Sequence, residues 1–398
     1  MPKYAKLGAL WAATILVHFW LVFEADFNPM TMPLSDINLY EYWAGNVLHG
    51  SSMIGISEPW VYPFVALGPI LLAKIIGANT GMLTGWLLLI CLINLIGVSA
   101  LVDWGRAGKS AYWAASYYLI FLALLGPVAI GRIDAVATFL AILGLVQVFR
   151  GRMNVAMTFF TLGAWVKIWP VAAALAVFAA TKSKLKVVFA ASASTVAVLG
   201  LGVALGGNQQ LLSFVTTQAS RGLQVESVAA TFWVWAAKLG LPGAGIYFDN
   251  QLVTNQVSGT FTSQTSEILG WVMAGAIAIT AILGLRAYKN GANSKHLFVT
   301  VFLTAVLDLI VFNKVGSPQF ELWLSVPLIA GILLELPKWR LPLVLGASIA
   351  ILTNLIYPIF YLDVLAAGSL GVWLLTIRNA TLVALLVWAN LRLSKLAN

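Results

Sequence analysis

Asp36, Tyr40 and Trp43 bring one carboxylate and two aromatic rings to spacings of four and seven residues. On an α-helix these positions share one face. A carboxylate beside rings is what a sugar-binding site with a general base requires, because the base takes a hydroxyl proton while the rings hold the ligand. The alternative is that Asp36 only complements the amino end of its helix. We favour the base, because basic residues elsewhere in the chain are predicted to lie beside it and a Tyr62-Pro63 element follows it.

Two basic residues fall at predicted turns between apolar segments. Arg132 stands two residues before Asp134, and the two side chains either neutralise one another or present a site for a phosphate. Lys167 stands just before Trp169 and Pro170, so an indole and a helix-breaking ring accompany its ammonium. A phosphate at the membrane interface would suit Lys167, and the alternative is that the side chain extends towards lipid headgroups.

Two further loops carry a cation together with an acid or an amide. Arg221 precedes Glu226 by five residues. Its guanidinium could take a phosphate through two parallel hydrogen bonds with Glu226 behind it, or the two residues could form a plain salt bridge. Lys314 and Gln319 flank a Gly-Ser-Pro bend and could grip phosphate and sugar hydroxyls. Taken alone, that segment is a common turn between helices.

The composition indicates a membrane protein. The chain of 398 residues is 61% apolar and 9% charged, against about 25% charged residues in ordinary soluble domains. A net charge of +9 does not indicate nucleic acid, because the basic residues are dispersed at helix ends. The first apolar run, 7–23, lacks a cleavage pattern and is expected to stay as an anchor helix. The lone Cys91 excludes an intrachain disulfide.

The apolar runs predict an all-α polytopic fold in one domain, 1–398. Runs near the spanning length of about 20 residues begin near residues 7, 81, 111, 134, 187, 267, 296, 320, 341 and 366, and two shorter runs flank Lys167. Placing most basic clusters in the cytoplasm gives about twelve helices with both termini cytoplasmic. This solution needs 60–76 to be re-entrant or surface-lying within an external loop, 24–80. A second external loop, 206–266, is expected to contain a helix near 226–239.

Some basic residues oppose this topology and need another partner: Lys74, Arg132, Lys167, Arg221, Lys238, Lys314 and Arg378. A buried cation costs roughly 2.5 to 3.5 kcal/mol on insertion scales, so pairing or an anionic ligand is expected. Asp36, Asp134, Glu226 and Asp363 map to the same outer side. Arg378 is predicted to form a structural pair with Asp308, assisted by Asn379.

The sequence lacks the motifs of several common metal-binding, nucleotide-binding and hydrolase sites. It has no HExxH, no Cys/His metal spacing, no Walker-type glycine-rich loop and no GxSxG. We therefore expect no metal and no other cofactor.

In their order along the chain, the polar segments resemble those of GT-C superfamily glycosyltransferases. The resemblance is to the family 87 type, the polyprenol-phosphate-mannose-dependent α-mannosyltransferases of actinobacterial cell envelopes. It extends through most of the chain and rests on Asp36 with Tyr40, on Tyr62-Pro63, and on 131–134, 167–170, 221–227 and 314–320. Most relatives have Tyr-Pro-Pro where this chain has Tyr62-Pro63-Phe64. No second aspartate adjoins Asp36, so the paired-carboxylate metal site of some relatives is not expected.

The resemblance implies a GT-C-like bundle with a catalytic juxtamembrane helix in the first external loop, and Asp36 matches the family's general base. It implies transfer of a sugar, mannose in the relatives, from a polyprenyl-phosphate donor to a hydroxyl of a glycolipid or cell-envelope glycan acceptor. The reaction inverts the anomeric carbon on the extracytoplasmic side of the cell membrane. Membrane lipids are the other expected partners, and nucleic acid is not one. The residues expected to bind the substrates are Tyr40, Trp43, Tyr62, Arg132, Asp134, Lys167, Trp169, Arg221, Glu226, Lys314 and Gln319.

A secondary transporter or a lipid-linked-sugar flippase is the main alternative, since broken helices and intramembrane charges also mark transport pathways. Such proteins tend to carry charge near the bilayer midplane and often show an internal repeat, whereas the polar groups here gather on one side and the halves look dissimilar. An assembly or scaffold protein is a weaker alternative, because it leaves the outer cations unexplained.

Overall fold

The computed structural model describes residues 3–219 and 221–398, and this part of the chain is helical apart from one two-stranded hairpin. The helices of the first half are α1 (Lys3–Asp26), α2 (Asp36–Leu48), α3 (Leu67–Ile76), α4 (Met82–Leu101), α5 (Lys109–Leu125), α6 (Val128–Gly131), α7 (Asp134–Phe149), α8 (Met153–Ala164), α9 (Val171–Ala180) and α10 (Lys184–Ala204).

The second half begins with two short helices and the hairpin. Its elements are α11 (Ser213–Ala219), α12 (Thr231–Lys238), β1 (Gly245–Asp249), β2 (Thr254–Ser258), α13 (Thr262–Lys289), α14 (Ser294–Val311), α15 (Ser325–Leu333), α16 (Arg340–Asn354), α17 (Tyr361–Leu365) and α18 (Ser369–Ala397). Tighter 3₁₀ turns cover Phe64–Ala66, Asp103–Gly105, Gln209–Leu212 and Pro318–Leu324, and a π-helical turn covers Leu355–Ile359.

Seven helices in the described part of the chain are long and apolar enough to cross a membrane. They are Ala5–Asp26, Met82–Leu101, Lys184–Ala204, Thr262–Lys289, Ser294–Val311, Arg340–Ile359 and Ser369–Ala397. The apolar segments Phe64–Ile76, Asp134–Phe149, Met153–Ala164, Val171–Ala180 and Pro318–Leu333 are shorter. These helices indicate a multi-pass membrane protein, as expected from the sequence, while the count of about twelve spans stays a prediction.

Helix α14 forms the centre of the bundle. Every residue from Leu297 to Val311 is buried, as expected of a helix that is apolar all round. It packs against α9, α18 and α13. Helices that precede α14 in the chain and a helix that follows it all pack against it. The turns at one end of the bundle therefore lie close together.

Several helices begin or end where the sequence predicts. Helix α2 begins at Asp36 and is followed by His49 and Gly50, although the Ser35 side chain makes no capping hydrogen bond. Helix α7 begins at Asp134. The segment between α8 and α9 contains Lys167 and Pro170, and α14 ends shortly before Lys314.

The loop 206–266 differs from the expectation of a loop with one helix near 226–239. The helix is shorter, Thr231–Lys238, and β1 pairs with β2 as an antiparallel hairpin. The hairpin is tied to the neighbouring loop, since the Val225 N–H donates to the Asn255 carbonyl and the Val257 N–H donates to the Leu223 carbonyl. The hairpin thereby fixes the loop 221–227, which carries Arg221 and Glu226.

Candidate functional site

Helix α2 is fixed to the bundle by Tyr40. The ring is fully buried, contacts Trp86 with ring centroids 4.7 Å apart, and accepts a hydrogen bond of 2.9 Å from the Ile133 N–H through its hydroxyl. Burial raises the pKa of this phenol well above its usual range. The prediction that Tyr40 binds substrate is therefore wrong for this structure, because the side chain has no exposed surface; Tyr40 positions α2 instead.

Asp36, at the first position of α2, forms an ion pair with Arg132. The contact joins Asp36 Oδ1 to Arg132 Nη1. The Arg132 side chain is only 9% exposed, whereas the Asp36 side chain is 28% exposed. Burial lowers the pKa of Arg132, and Tyr357 and Asp134 oppose that shift. Asp36 is thus an accessible carboxylate held against a buried cation.

Asp134 has the opposite environment, since its side chain is fully buried at the start of α7. Trp323 donates its indole N–H to Asp134 Oδ1 at 2.7 Å, and Lys167 Nζ lies 3.6 Å from Oδ2. The sequence left open whether Asp134 would pair with Arg132 or with a ligand. In the structure its ion-pair partner is Lys167, while Arg132 pairs with Asp36.

Lys167 lies in a buried pocket of aromatic rings. Its ammonium is 4.5 Å from the centre of the Tyr62 ring and 5.6 Å from that of Phe320. Burial lowers the pKa of Lys167; Asp134 raises it, and Arg221 and Arg132 lower it further. Two arginines from separate segments therefore act electrostatically on Lys167.

Arg221 completes this cationic cluster. It faces Tyr62, which opposes the lowering of the Arg221 pKa by burial. Among the residues that the structure describes, no carboxylate lies within ion-pairing distance of its guanidinium. The predicted support of Arg221 by Glu226 is wrong as a direct ion pair.

Glu226 faces a different set of groups. Its carboxylate hydrogen-bonds to the Tyr361 side chain and lies near Arg378, and burial raises the pKa of Glu226 despite both contacts. The Arg378 guanidinium also donates to the Glu226 carbonyl at 2.7 Å. Glu226 is only 2% exposed, and it therefore stabilises the structure that surrounds the cationic cluster.

The predicted Arg378–Asp308 pair is wrong. Arg378 Nη1 lies 2.7 Å from Glu321 Oε1, and the Asp308 carboxylate accepts a hydrogen bond of 2.6 Å from Thr280. Asn379 does not assist such a pair either, since it donates to Thr231 Oγ1 at 2.7 Å. Which carboxylate pairs with Arg378 depends on which side of α18 faces the 3₁₀ turn Pro318–Leu324. The spacing of residues along α18 does not determine how this helix is rotated against its neighbours.

Lys314 and Gln319 lie beside the cluster in different ways. The Lys314 carbonyl accepts from the Gln224 N–H, and Glu267 is the carboxylate that acts on its ammonium. Gln319 is buried. The structure therefore connects the Lys314 backbone to the Arg221 loop, while a direct role of its ammonium in anion binding stays a prediction.

Aromatic rings form a wall between α2 and the loop that follows it. Trp43 contacts Trp60 at 5.1 Å and Tyr62 at 6.3 Å between ring centroids, and both Trp43 and Tyr62 are partly exposed. Trp169 is fully buried and stacks on Trp323 at 5.9 Å. The prediction that Trp169 stacks on a sugar is therefore wrong for this structure, whereas Trp43 and Tyr62 remain available.

Sequence reasoning missed three residues that shape the site. Trp323 holds Asp134, Tyr357 hydrogen-bonds to Arg132, and Tyr361 hydrogen-bonds to Glu226. The Tyr357-Pro358 dipeptide has the same residue types as Tyr62-Pro63 and was a usable signal in the sequence. Trp323 gave none, because its role depends on a partner far away in the chain.

Comparison of the sequence with known family models and with curated proteins found no match. The resemblance to GT-C glycosyltransferases therefore stays a prediction.

Proposed function

We propose that the protein is an inverting glycosyltransferase that moves a sugar from a polyprenyl-phosphate donor to a hydroxyl of a lipid-linked or cell-envelope glycan on the extracytoplasmic side. Mannose is the sugar that the family resemblance implies. The observation that carries the proposal is the ion pair of Asp36, an accessible carboxylate, with Arg132, a buried cation that acts together with Arg221 on the Lys167 ammonium.

Asp36 is suited to act as the base. Its Oδ1 contacts Arg132, and part of the side chain is exposed, so an acceptor hydroxyl can reach the carboxylate and give up its proton to it. As that proton leaves, the hydroxyl oxygen forms a bond to the anomeric carbon and the bond from this carbon to the phosphate oxygen breaks. Attack from the face opposite the leaving group inverts the anomeric centre.

The cationic cluster is suited to stabilise the leaving group. The donor is a phosphodiester with one negative charge, and the released polyprenyl phosphate is a monoester that gains a second one. Fixed cations that face this developing charge in a poorly hydrated site lower the barrier to transfer. Asp36 and Asp134 together neutralise only part of the charge of the three cations, so a net positive charge is left for the phosphate.

The aromatic wall and the apolar helices complete the site. Trp43, on the same helix as Asp36, and Tyr62 present partly exposed rings that can stack on a sugar. A polyprenyl tail is soluble among apolar helices such as α4 and α10, which expose leucine, valine and phenylalanine side chains. A donor that arrives through the membrane needs no nucleotide-binding domain.

The test is transfer of radiolabelled mannose from polyprenyl phosphate to a lipid-extract acceptor by the purified protein in liposomes. We expect Asp36→Asn to lower the rate by at least about 100-fold, the usual contribution of a general base. Glu41→Gln is the matched control, because Glu41 is an exposed carboxylate on the same helix that pairs with Lys74. It should keep the wild-type rate.

An unchanged transfer rate in Asp36→Asn would show that Asp36 is not the general base. No transfer by the wild type from mannose, arabinose or other hexose donors, together with movement of labelled donor between the leaflets, would identify a flippase instead.

A further inference from the structure

A cavity lies at the other end of the bundle from Asp36, where α5, α15 and α16 meet. Its volume is about 540 Å³, which is within the range of small-molecule sites. Helix α5 runs from Lys109 at this cavity towards the Arg132 turn, and α16 runs from Arg340 towards Tyr357, which contacts Arg132. The 17 residues of α5 span about 25 Å. The cavity is therefore separate from the proposed active site.

The cavity has an excess of positive charge. It is lined by Lys109, Lys338 and Arg340, with Glu335 as the acid. In the part of the chain that the structure describes, none of the three cations pairs with a carboxylate. An anionic group in the cavity would thus meet three positive charges and one negative charge.

A buried tryptophan fixes the position of two of these cations. Trp339, between Lys338 and Arg340, is 3% exposed and donates its indole N–H to the Leu328 carbonyl at 2.9 Å. The ring packs on Gly331, where even a methyl group would collide with it. The two cations therefore flank an anchored residue and are not carried by a loose loop.

The rest of the lining is apolar. Trp113, which is 61% exposed, lines the cavity together with Ile332 and Leu343. A site with cations at its rim and an exposed indole and aliphatic side chains along its wall matches a molecule with an anionic head and hydrocarbon chains. We propose that this cavity binds an anionic phospholipid, with the phosphate at Lys109, Lys338 and Arg340 and an acyl chain along Trp113 and Leu343.

The experiment is native mass spectrometry of the purified full-length protein titrated with phosphatidylglycerol, with phosphatidylcholine, and with inorganic phosphate as competitor. We expect phosphatidylglycerol to bind at least about ten-fold tighter than phosphatidylcholine, since each cation near an anionic headgroup contributes about five-fold. Excess inorganic phosphate should not displace it, because phosphate lacks the acyl chains. Equal binding of the two lipids, or displacement by phosphate, would overturn the proposal.

Charge variants test the assignment to this cavity. The triple variant Lys109→Gln, Lys338→Gln, Arg340→Gln should bind phosphatidylglycerol on the order of 100-fold more weakly. The triple variant Arg152→Gln, Lys186→Gln, Lys289→Gln removes the same charge from exposed positions outside the cavity and should bind as the wild type does. Equal losses in both would contradict a specific site.

Glu335→Gln gives a test of opposite sign that does not depend on loss of binding. It removes the acid from the lining, so phosphatidylglycerol should bind several-fold tighter. Weaker or unchanged binding in a variant with wild-type thermal stability would count against the proposed site.

Discussion

At the scale of single residues, side-chain exposure distinguishes Asp36 from Asp134, the two aspartates of the site. Asp36 keeps 28% of its side chain exposed, whereas Asp134 keeps none. An acceptor hydroxyl must reach the base, so only Asp36 is placed for proton transfer. Asp134 instead fixes the Lys167 ammonium and the Trp323 indole.

Asp134→Asn should destabilise the protein, because it leaves the Lys167 ammonium buried without its carboxylate. Removing one partner of a buried ion pair costs about 3 to 5 kcal/mol of unfolding free energy. Lys167→Met combined with Asp134→Asn should recover part of this loss. Thermal unfolding of the wild type, both single variants and the double variant in detergent gives the coupling, and additive effects would show that the two side chains do not interact.

Glu226 makes stability depend on pH. Burial raises its pKa above the ordinary value of 4.5, so the folded protein binds more protons than the unfolded chain as pH rises from 4.5 to the folded pKa. Stability from this group therefore falls over that window. Glu226→Gln removes the titration and keeps an oxygen for Tyr361. The melting temperature of the variant relative to the wild type should rise with pH, and a constant difference would contradict the assignment.

At the scale of elements, α2 is joined to α7 through the Tyr40 hydroxyl and the Ile133 N–H. Ile133 directly precedes α7, and the first N–H groups of a helix lack partners within it. One hydrogen bond thus sets the position of the helix that carries Asp36 relative to the turn that carries Arg132.

Tyr40→Phe should weaken both stability and transfer. It leaves the buried Ile133 N–H without an acceptor, which costs about 1 to 3 kcal/mol, and a displaced α2 misplaces Asp36, which we expect to slow transfer by about ten-fold or more. Tyr42→Phe is the matched control, since Tyr42 lies on the same helix and is 62% exposed. If Tyr40→Phe and Tyr42→Phe had the same thermal stability and the same transfer rate, this role of Tyr40 would be contradicted.

The elements that the sequence predicts well are those with local signals. Helix α2 ends before His49-Gly50 and α7 begins at Asp134, as turn residues and apolar runs indicate. The Arg378–Glu321 pair could not be predicted, because its register depends on how α18 is rotated against a distant turn. The hairpin was missed although Asp249-Asn250 is a turn signal between β-prone residues.

At the scale of the whole molecule, ionisable groups gather at both ends of the bundle with different roles. At one end, buried cations surround Asp36 and Asp134. At the other, exposed cations such as Lys109 and Arg340 stand at helix starts. A bias of exposed Lys and Arg marks the cytoplasmic side of membrane proteins, so the Asp36 end is predicted to face outwards.

Cysteine labelling in intact cells tests this orientation. In a Cys91→Ser background, a cysteine in place of Gly108 should not react with a membrane-impermeant maleimide, whereas one in place of Ser51 should. Both positions are exposed, so both should react after the membrane is made permeable. Labelling of position 108 in sealed cells would reverse the proposed orientation.

Helices α8 and α9, which flank Lys167, have 12 and 10 residues, or about 18 and 15 Å of length. A bilayer has a hydrocarbon core of about 30 Å, and it becomes thinner around a protein whose apolar height is smaller. Ile168 and Val171 are exposed at the junction of the two helices, so we expect lipid to contact the protein there. Local thinning would bring headgroups down to Lys167, and a phospholipid substrate could then reach the cation while its polar end stays hydrated.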